Sequence, residues 1–79
     1  MAKLVTFYTR PGCALCDDVR EDLRLLEAER DIDVREMDIT SGPDLLTRFE
    51  HLIPVVDVEG GALLTPPISL YQLRKAIES

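Results

Sequence analysis

Hydrophobic positions along the chain change their spacing several times, and each change marks a predicted element. Residues 3–8 form a nearly continuous apolar run rich in β-branched and aromatic side chains, which predicts a strand buried on both faces. Residues 9–12 end this run, because their proline removes a hydrogen-bond donor and their glycine permits a sharp turn. From residue 13 the period is helical, and one apolar stripe runs through Cys16, Val19, Leu23 and Leu26.

The rest of the chain continues this alternation of strands and helices. In residues 32–39, apolar and polar side chains alternate with a shift of one residue partway along, a pattern that predicts a strand at the edge of the sheet. Gly60-Gly61 predicts a hairpin turn. Ser41 is a candidate N-cap for a short helix. The elements predicted after the first helix are an edge strand at 32–39, a short helix at 43–51, a strand at 53–58, a short strand at 62–65 and a helix at 68–78.

The predicted order of elements is β-α-β-α-β-β-α, which is typical of an α/β fold. The chain has 79 residues, and we expect a single domain over residues 1–79, since two domains would each be too small to form a core. Hydrophobic residues make up 46% and charged residues 30%, a composition that excludes a disordered chain.

Net charge and hydropathy limit the classes of partner and the compartment that we expect for this protein. The net charge of −6 argues against nucleic acid and anionic membranes, because both require a basic surface. No stretch approaches the roughly 18 apolar residues of a membrane helix, and the first apolar run is too short for a signal peptide. We therefore expect a cytoplasmic protein, and we expect it to be a monomer.

Cys13 and Cys16 form a C-x-x-C motif where the first strand is followed by the first helix. A cysteine at a helix N-terminus has a lowered pKa, because unpaired backbone N–H groups and the helix dipole stabilise its thiolate. Cys16 belongs to the apolar stripe and is expected to be shielded, whereas Cys13 is expected to face solvent. We predict that Cys13 attacks a substrate disulfide and Cys16 resolves the product, with Arg10 as the nearby cation that favours the thiolate.

The same spacing has a second interpretation, as half of a metal or iron–sulfur site. Such a site needs four ligands, and the single histidine, His51, has no partner at a ligand spacing. A dimer would have to supply the missing thiolates. The ligand count therefore favours thiol–disulfide chemistry with no bound metal.

Two segments resemble the glutaredoxins. Residues 8–16, with the sequence YTRPGCALC, resemble that family's active-site segment, and Ile53-Pro54-Val55 resembles its hydrophobic-Pro-hydrophobic segment. The resemblance covers nearly the whole chain and implies a thioredoxin-like fold, a four-stranded mixed sheet with helices on both faces. It also implies that Pro54 follows a cis peptide bond and lies against the Cys13 sulfur. The backbone of Ile53 is then expected to pair with a bound peptide or glutathione as an added strand.

The chain also departs from the glutaredoxin pattern. Ala14-Leu15 replaces the usual Pro-Tyr between the cysteines, and Gly60-Gly61 precedes the last strand instead of following it. Arg10 matches a basic position that the family uses for a glutathione carboxylate. Ser69, at the start of the last helix, could accept a carboxylate through backbone N–H groups. Four substrate-binding residues are therefore predicted: Arg10, Ile53, Pro54 and Ser69.

The resemblance implies a thiol–disulfide oxidoreductase of cell redox homeostasis and electron transport. It would reduce protein disulfides or glutathione mixed disulfides through Cys13 and Cys16, with glutathione or a reductase as the source of electrons. No organic cofactor or metal is required, and the expected partners are disulfide-containing proteins, glutathione and a reductase. One further alternative is a non-catalytic domain that keeps the fold and holds a peptide at the edge near Pro54.

Overall fold

Four strands form one mixed sheet in a computed structural model that describes residues 2–78. The strand order is β2-β1-β3-β4; β2 runs parallel to β1, and each of the other neighbouring pairs is antiparallel. The elements are β1 (Lys3–Thr9), α1 (Ala14–Glu29), β2 (Ile32–Asp38), a 3₁₀ turn (Ile39–Ser41), α2 (Pro43–Phe49), β3 (Val55–Val58), β4 (Leu63–Leu64) and α3 (Leu70–Glu78). The predicted fold class and order of elements are thereby confirmed.

The larger core lies between one face of the sheet and helices α1 and α3. Val5 and Phe7 of β1 are buried there, and the predicted stripe of α1 packs against the same face. This stripe, Cys16, Val19, Leu23 and Leu26, is buried along its whole length, as its spacing predicts. The buried residues of α3 complete this core: Leu73, Ala76 and Ile77.

A smaller core lies on the opposite face of the sheet, beneath α2. Ile39, Phe49 and Val55 are buried in it, and Tyr8 of β1 stacks on Phe49 with ring centroids 4.3 Å apart. β1 therefore has apolar cover on both faces, which explains why its residues form a nearly continuous apolar run. Helices cover both faces of the sheet, as the resemblance implies.

Strand β2 lies at the edge of the sheet, as predicted. It pairs with β1 along its whole length, and its side chains are exposed from Arg35 to Asp38. Only Ile32, at its start, is buried in the larger core. The polar residues of this segment are thus explained by its edge position.

The prediction that Ser41 caps the short helix is wrong. Gly42 is the N-cap of α2, and Ser41 belongs to the preceding 3₁₀ turn, where its hydroxyl donates to the Asp38 carbonyl at 2.7 Å. The Asp38 carboxylate caps this turn by accepting hydrogen bonds from the hydroxyl (2.7 Å) and the backbone N–H (2.8 Å) of Thr40, and these bonds lower the pKa of Asp38. The helix also ends at Phe49, before the predicted end near residue 51.

The last strands and the last helix are shorter than predicted. β3 starts at Val55, one residue after Pro54, which cannot donate to a ladder. β4 contains two residues, and α3 starts at Leu70. Within residues 2–78, no helix is long and apolar enough to cross a membrane.

Replacing Leu26 by alanine should lower the free energy of unfolding by about 2–5 kcal/mol, because it leaves a cavity in the larger core. Leu26 is fully buried, whereas Leu25 beside it on α1 is 46% exposed and is the matched control. Leu25→Ala should cost less than about 1 kcal/mol. Urea unfolding followed by circular dichroism measures both values, and equal losses would contradict the orientation of α1.

Candidate active site

The turn between β1 and α1 positions both cysteines. Gly12 has a φ of 77°, a left-handed conformation that glycine adopts at little cost. The chain then enters α1 through Cys13, whose extended backbone (φ −102°, ψ 106°) makes it the N-cap residue. The Cys13 carbonyl accepts the first intrahelical hydrogen bond, from the Asp17 N–H at 3.1 Å. The turn thus places Cys13 at the start of the helix.

The Cys13 sulfur takes the capping role that a serine or aspartate oxygen usually has. It accepts a hydrogen bond from the backbone N–H of Cys16 at 3.1 Å. The first N–H groups of a helix have no partner inside the helix, and the helix dipole places a partial positive charge there. In the reduced form, this position would stabilise a thiolate on Cys13.

The two cysteines differ in their burial. They are joined by a disulfide with Cα atoms 5.2 Å apart. Cys16 is fully buried in the larger core, whereas Cys13 is partly exposed and packs at the margin of that core. Cys13 is therefore the more accessible of the two sulfurs, and the burial of Cys16 is the one that the helical stripe predicts.

The peptide bond between Ile53 and Pro54 is cis, as the resemblance implies. Pro54 is buried, and Ile53 packs against both cores, including the one that Cys13 borders. The Ile53 N–H donates to the Phe49 carbonyl at 3.2 Å. The pairing with a substrate chain that the resemblance implies would therefore have to use the Ile53 carbonyl.

A cleft of about 400 Å³, here called the apolar cleft, borders the first turns of α1. Leu15 stands between the two cysteines in sequence and is 61% exposed. Asp18 is the only charged residue that lines this cleft within residues 2–78. Its other lining residues are apolar: Leu15, Val19, Pro54, Pro66, Pro67 and Ile68.

A second cleft of about 410 Å³, here called the charged cleft, lies against the β1–α1 turn and β2. Arg20 crosses it, with Nε 2.8 Å from Glu36 Oε1 and one terminal nitrogen 2.6 Å from Asp17 Oδ1. These hydrogen bonds raise the pKa of Arg20, and the bond to Glu36 has the larger effect. The buried Thr9 hydroxyl has no hydrogen-bond partner in the described part of the chain. The charged cleft is lined by Thr9, Arg10, Pro11, Gly12, Asp17, Arg20, Glu36 and Asp38.

The four predicted substrate-binding residues do not share one cleft. Pro54 lines the apolar cleft and Arg10 lines the charged cleft. Ser69 caps α3: its N–H donates to Gln72 Oε1 at 2.8 Å and its hydroxyl accepts from the Gln72 N–H at 3.1 Å. This reciprocal pair is a capping box, so a carboxylate at Ser69 would have to displace Gln72.

Asp18 and residues 66–68 line the apolar cleft although they are not among the predicted site residues. The cleft could have been anticipated from Leu15, a large apolar residue inside the C-x-x-C motif that does not belong to the buried stripe and is exposed. The Pro66–Pro67 bond is also cis, and consecutive prolines are a place where such a bond is tolerated. The spacing of Ser69 and Gln72 is itself a capping-box signature.

The described residues contain no group of three or more His, Cys, Asp or Glu side chains arranged to hold a metal ion. Cys13 and Cys16 alone supply two of the four ligands of a tetrahedral site. A metal centre at this pair would therefore need ligands from another chain, as the sequence analysis states.

A family model described as glutaredoxin-like domain (DUF836) matches residues 4–78. The uncharacterized proteins Mb0520 of Mycobacterium bovis and MT0529 of Mycobacterium tuberculosis are each 36% identical over 61 residues, which cover 71% of this chain and 63% of theirs. The chain thus spans less than two thirds of the length of these relatives.

Two solved structures share the fold. Protein XcR50 from X. campestris, an X-ray structure, is 26% identical with a TM-score of 0.79, and the match covers 94% of this chain and 95% of that one. Protein Ne2328 from Nitrosomonas europaea, a solution NMR structure, is 19% identical with a TM-score of 0.75, over 95% and 91% of the two chains. The second likeness shows the fold alone. A thioredoxin-like fold with a C-x-x-C pair supports a redox role in general.

Replacing Gly12 by alanine should lower the free energy of unfolding of the oxidised protein by about 1–2 kcal/mol, because a Cβ disfavours a left-handed backbone. No atom lies within 4 Å of the place where that Cβ would stand, so a steric clash adds nothing. Gly12→Asn is the control and should lose less, since asparagine tolerates this conformation. Urea unfolding measures both variants, and an alanine variant as stable as the parent chain would be the contrary result.

Proposed function

Because this chain belongs to the glutaredoxin-like domain family, we propose that it is a thiol–disulfide oxidoreductase that reduces protein disulfides or glutathione mixed disulfides. The observation that carries the proposal is the position of Cys13 at the N-cap of α1, where its sulfur accepts the Cys16 N–H. A thiolate is the nucleophile of disulfide exchange, and this position favours the thiolate.

The first step is attack by the Cys13 thiolate on one sulfur of the substrate disulfide. A bond forms between Cys13 Sγ and that sulfur while the substrate S–S bond breaks. The second substrate sulfur leaves as a thiolate and takes a proton from solvent. The product of this step is a mixed disulfide between Cys13 and the first half of the substrate.

The second step is resolution by Cys16. The Cys16 thiol gives its proton to water, and its sulfur attacks Cys13 Sγ, breaks the mixed disulfide and displaces the remaining half of the substrate as a thiolate, which takes a proton from solvent. Two electrons have then passed from the dithiol to the substrate, and the Cys13–Cys16 disulfide is the oxidised product. The burial of Cys16 supports its role as the resolving residue, since an incoming substrate reaches Cys13 first.

The cycle closes when a reductant returns two electrons to the disulfide. Glutathione or a dedicated reductase supplies them, and the partners are disulfide-containing proteins, glutathione and that reductase. The steps written above use the two sulfurs and solvent protons, so they need no organic cofactor or metal. The proposal includes that the whole protein acts in the cytoplasm as a monomer.

Replacing Cys13 by serine should reduce disulfide turnover to the uncatalysed rate, because a serine hydroxyl is not ionised near neutral pH. The measurement is NADPH oxidation in two coupled assays, one with glutathione and glutathione reductase and one with thioredoxin reductase. The parent chain should be active in at least one of them. Inactivity of the parent chain in both assays, on several disulfides, would refute the proposal.

Cys16→Ser is the matched control, since it keeps the attacking thiol and removes the resolving one. This variant should accumulate a mixed disulfide at Cys13, which mass spectrometry detects as a gain of one substrate half. Cys13→Ser should show no such adduct. An adduct on Cys16 in the Cys13→Ser variant, formed as fast as the adduct on Cys13, would reverse the assigned roles.

A further inference from the structure

We infer that the substrate of this site is a protein disulfide whose cysteine is flanked by an apolar and a basic residue, in preference to a glutathione mixed disulfide. The inference rests on the proposed function and narrows its substrate class. It follows from the juxtaposition of the cysteine pair with the apolar cleft and Asp18.

Three residues of the apolar cleft adjoin the cysteine pair in sequence or follow the residue expected to meet the substrate. Leu15 stands between the two cysteines, and Val19 follows Cys16 by three residues on the same helix. Across the cleft, Pro54 follows Ile53, which packs against the same core as Cys13. A segment whose disulfide meets Cys13 can therefore lay a neighbouring side chain on this cleft.

The lining of the cleft suits an apolar side chain. Leu15 is 61% exposed although it is a large aliphatic residue, and the remaining apolar lining residues extend this surface to Pro66, Pro67 and Ile68. Burial of such surface by an incoming aliphatic side chain is favourable. Glutathione has no apolar side chain beside its cysteine, so it leaves this surface exposed to water.

The charge of the cleft disfavours glutathione and favours a basic residue. Asp18 has no ion-pair partner within residues 2–78, in contrast to Asp17, which pairs with Arg20. Glutathione has two carboxylates and one ammonium group, so its net charge at neutral pH is negative. Both the Asp18 carboxylate and the chain's net charge of −6 repel it, whereas an arginine or lysine beside the substrate cysteine is attracted.

The groups that would recognise glutathione's carboxylates are absent from the cleft or already engaged. Arg10 lines the charged cleft, and no lysine or arginine among the described residues lines the apolar one. The N–H and hydroxyl of Ser69 are held by Gln72. A glutathione molecule in the apolar cleft would therefore desolvate its carboxylates without recovering charge-assisted hydrogen bonds there.

The test compares single-turnover rate constants of the full reduced chain with four symmetric disulfides. These are glutathione disulfide, hydroxyethyl disulfide and the disulfides of acetyl-Leu-Cys-Arg-amide and acetyl-Leu-Cys-Glu-amide. Acid quenching and chromatography follow the substrate, and each rate constant is divided by that of dithiothreitol with the same disulfide, which removes differences in intrinsic reactivity. We expect the normalised rate constant of the Leu-Cys-Arg disulfide to be about tenfold higher than that of glutathione disulfide. It should also be about threefold higher than that of the Leu-Cys-Glu disulfide.

Two variants and two matched controls assign this preference to the cleft. Leu15→Ser should lower the Leu-Cys-Arg rate about fivefold relative to hydroxyethyl disulfide, and Asp18→Asn should bring the ratio of Arg to Glu substrates to about one. Leu25→Ser and Glu27→Gln replace exposed residues of the same helix, on the order of 15 Å further along it, and should change neither ratio. All four positions are exposed, so the fold should tolerate each change.

The outcomes separate the inference from the proposed function. If the reduced chain reacts with hydroxyethyl disulfide through Cys13, yet glutathione disulfide is as fast as the Leu-Cys-Arg disulfide, the inference is overturned and the proposed function stands. An unchanged Arg-to-Glu ratio in Asp18→Asn would overturn the role of Asp18. If no disulfide reacts, and Cys13→Ser behaves like the parent chain, both the inference and the proposed function are overturned.

Discussion

The hydrogen bond from the Cys16 N–H to the Cys13 sulfur is the interaction on which the site depends. It forms because Cys13 is the N-cap of α1, a position that follows from the left-handed turn at Gly12. The buried stripe of α1 fixes the helix against the sheet, so the helix start cannot move away from the strand that precedes it. The fold therefore supplies a fixed, partly positive environment for one sulfur and a dry one for the other.

Helix α1 separates two surfaces of different chemistry. Asp17 and Asp18 are neighbours in sequence, but successive residues of a helix point about 100° apart. Asp17 faces the charged cleft, where it pairs with Arg20, and Asp18 faces the apolar cleft and has no ion-pair partner among residues 2–78. Both carboxylates look like partners of the helix dipole when only the sequence is considered. Their different surroundings come from β2 on one side and the segment 66–68 on the other.

Much of the fold and part of the site could be predicted from the sequence. The α1 stripe and the apolar run of β1 could be predicted because each element must bury its apolar side chains whatever it packs against. The cis bond before Pro54 was implied by the resemblance. Other features depend on competing local hydrogen bonds or on distant elements. The Ser41 hydroxyl bonds to a carbonyl within a turn instead of capping a helix start. The cleft that Arg10 lines depends on β2 lying beside β1; the local pattern predicts an edge strand but not the strand with which it pairs.

The bond from the Ile53 N–H to the Phe49 carbonyl has a consequence for how another chain can approach. In parallel and antiparallel pairs alike, a residue that faces the neighbouring strand through its backbone offers it both its N–H and its C=O. Ile53 could offer only its carbonyl. A segment that pairs with Ile53, as predicted from the sequence, would therefore be held there by one backbone bond, and the rest of its attachment would have to come from side chains.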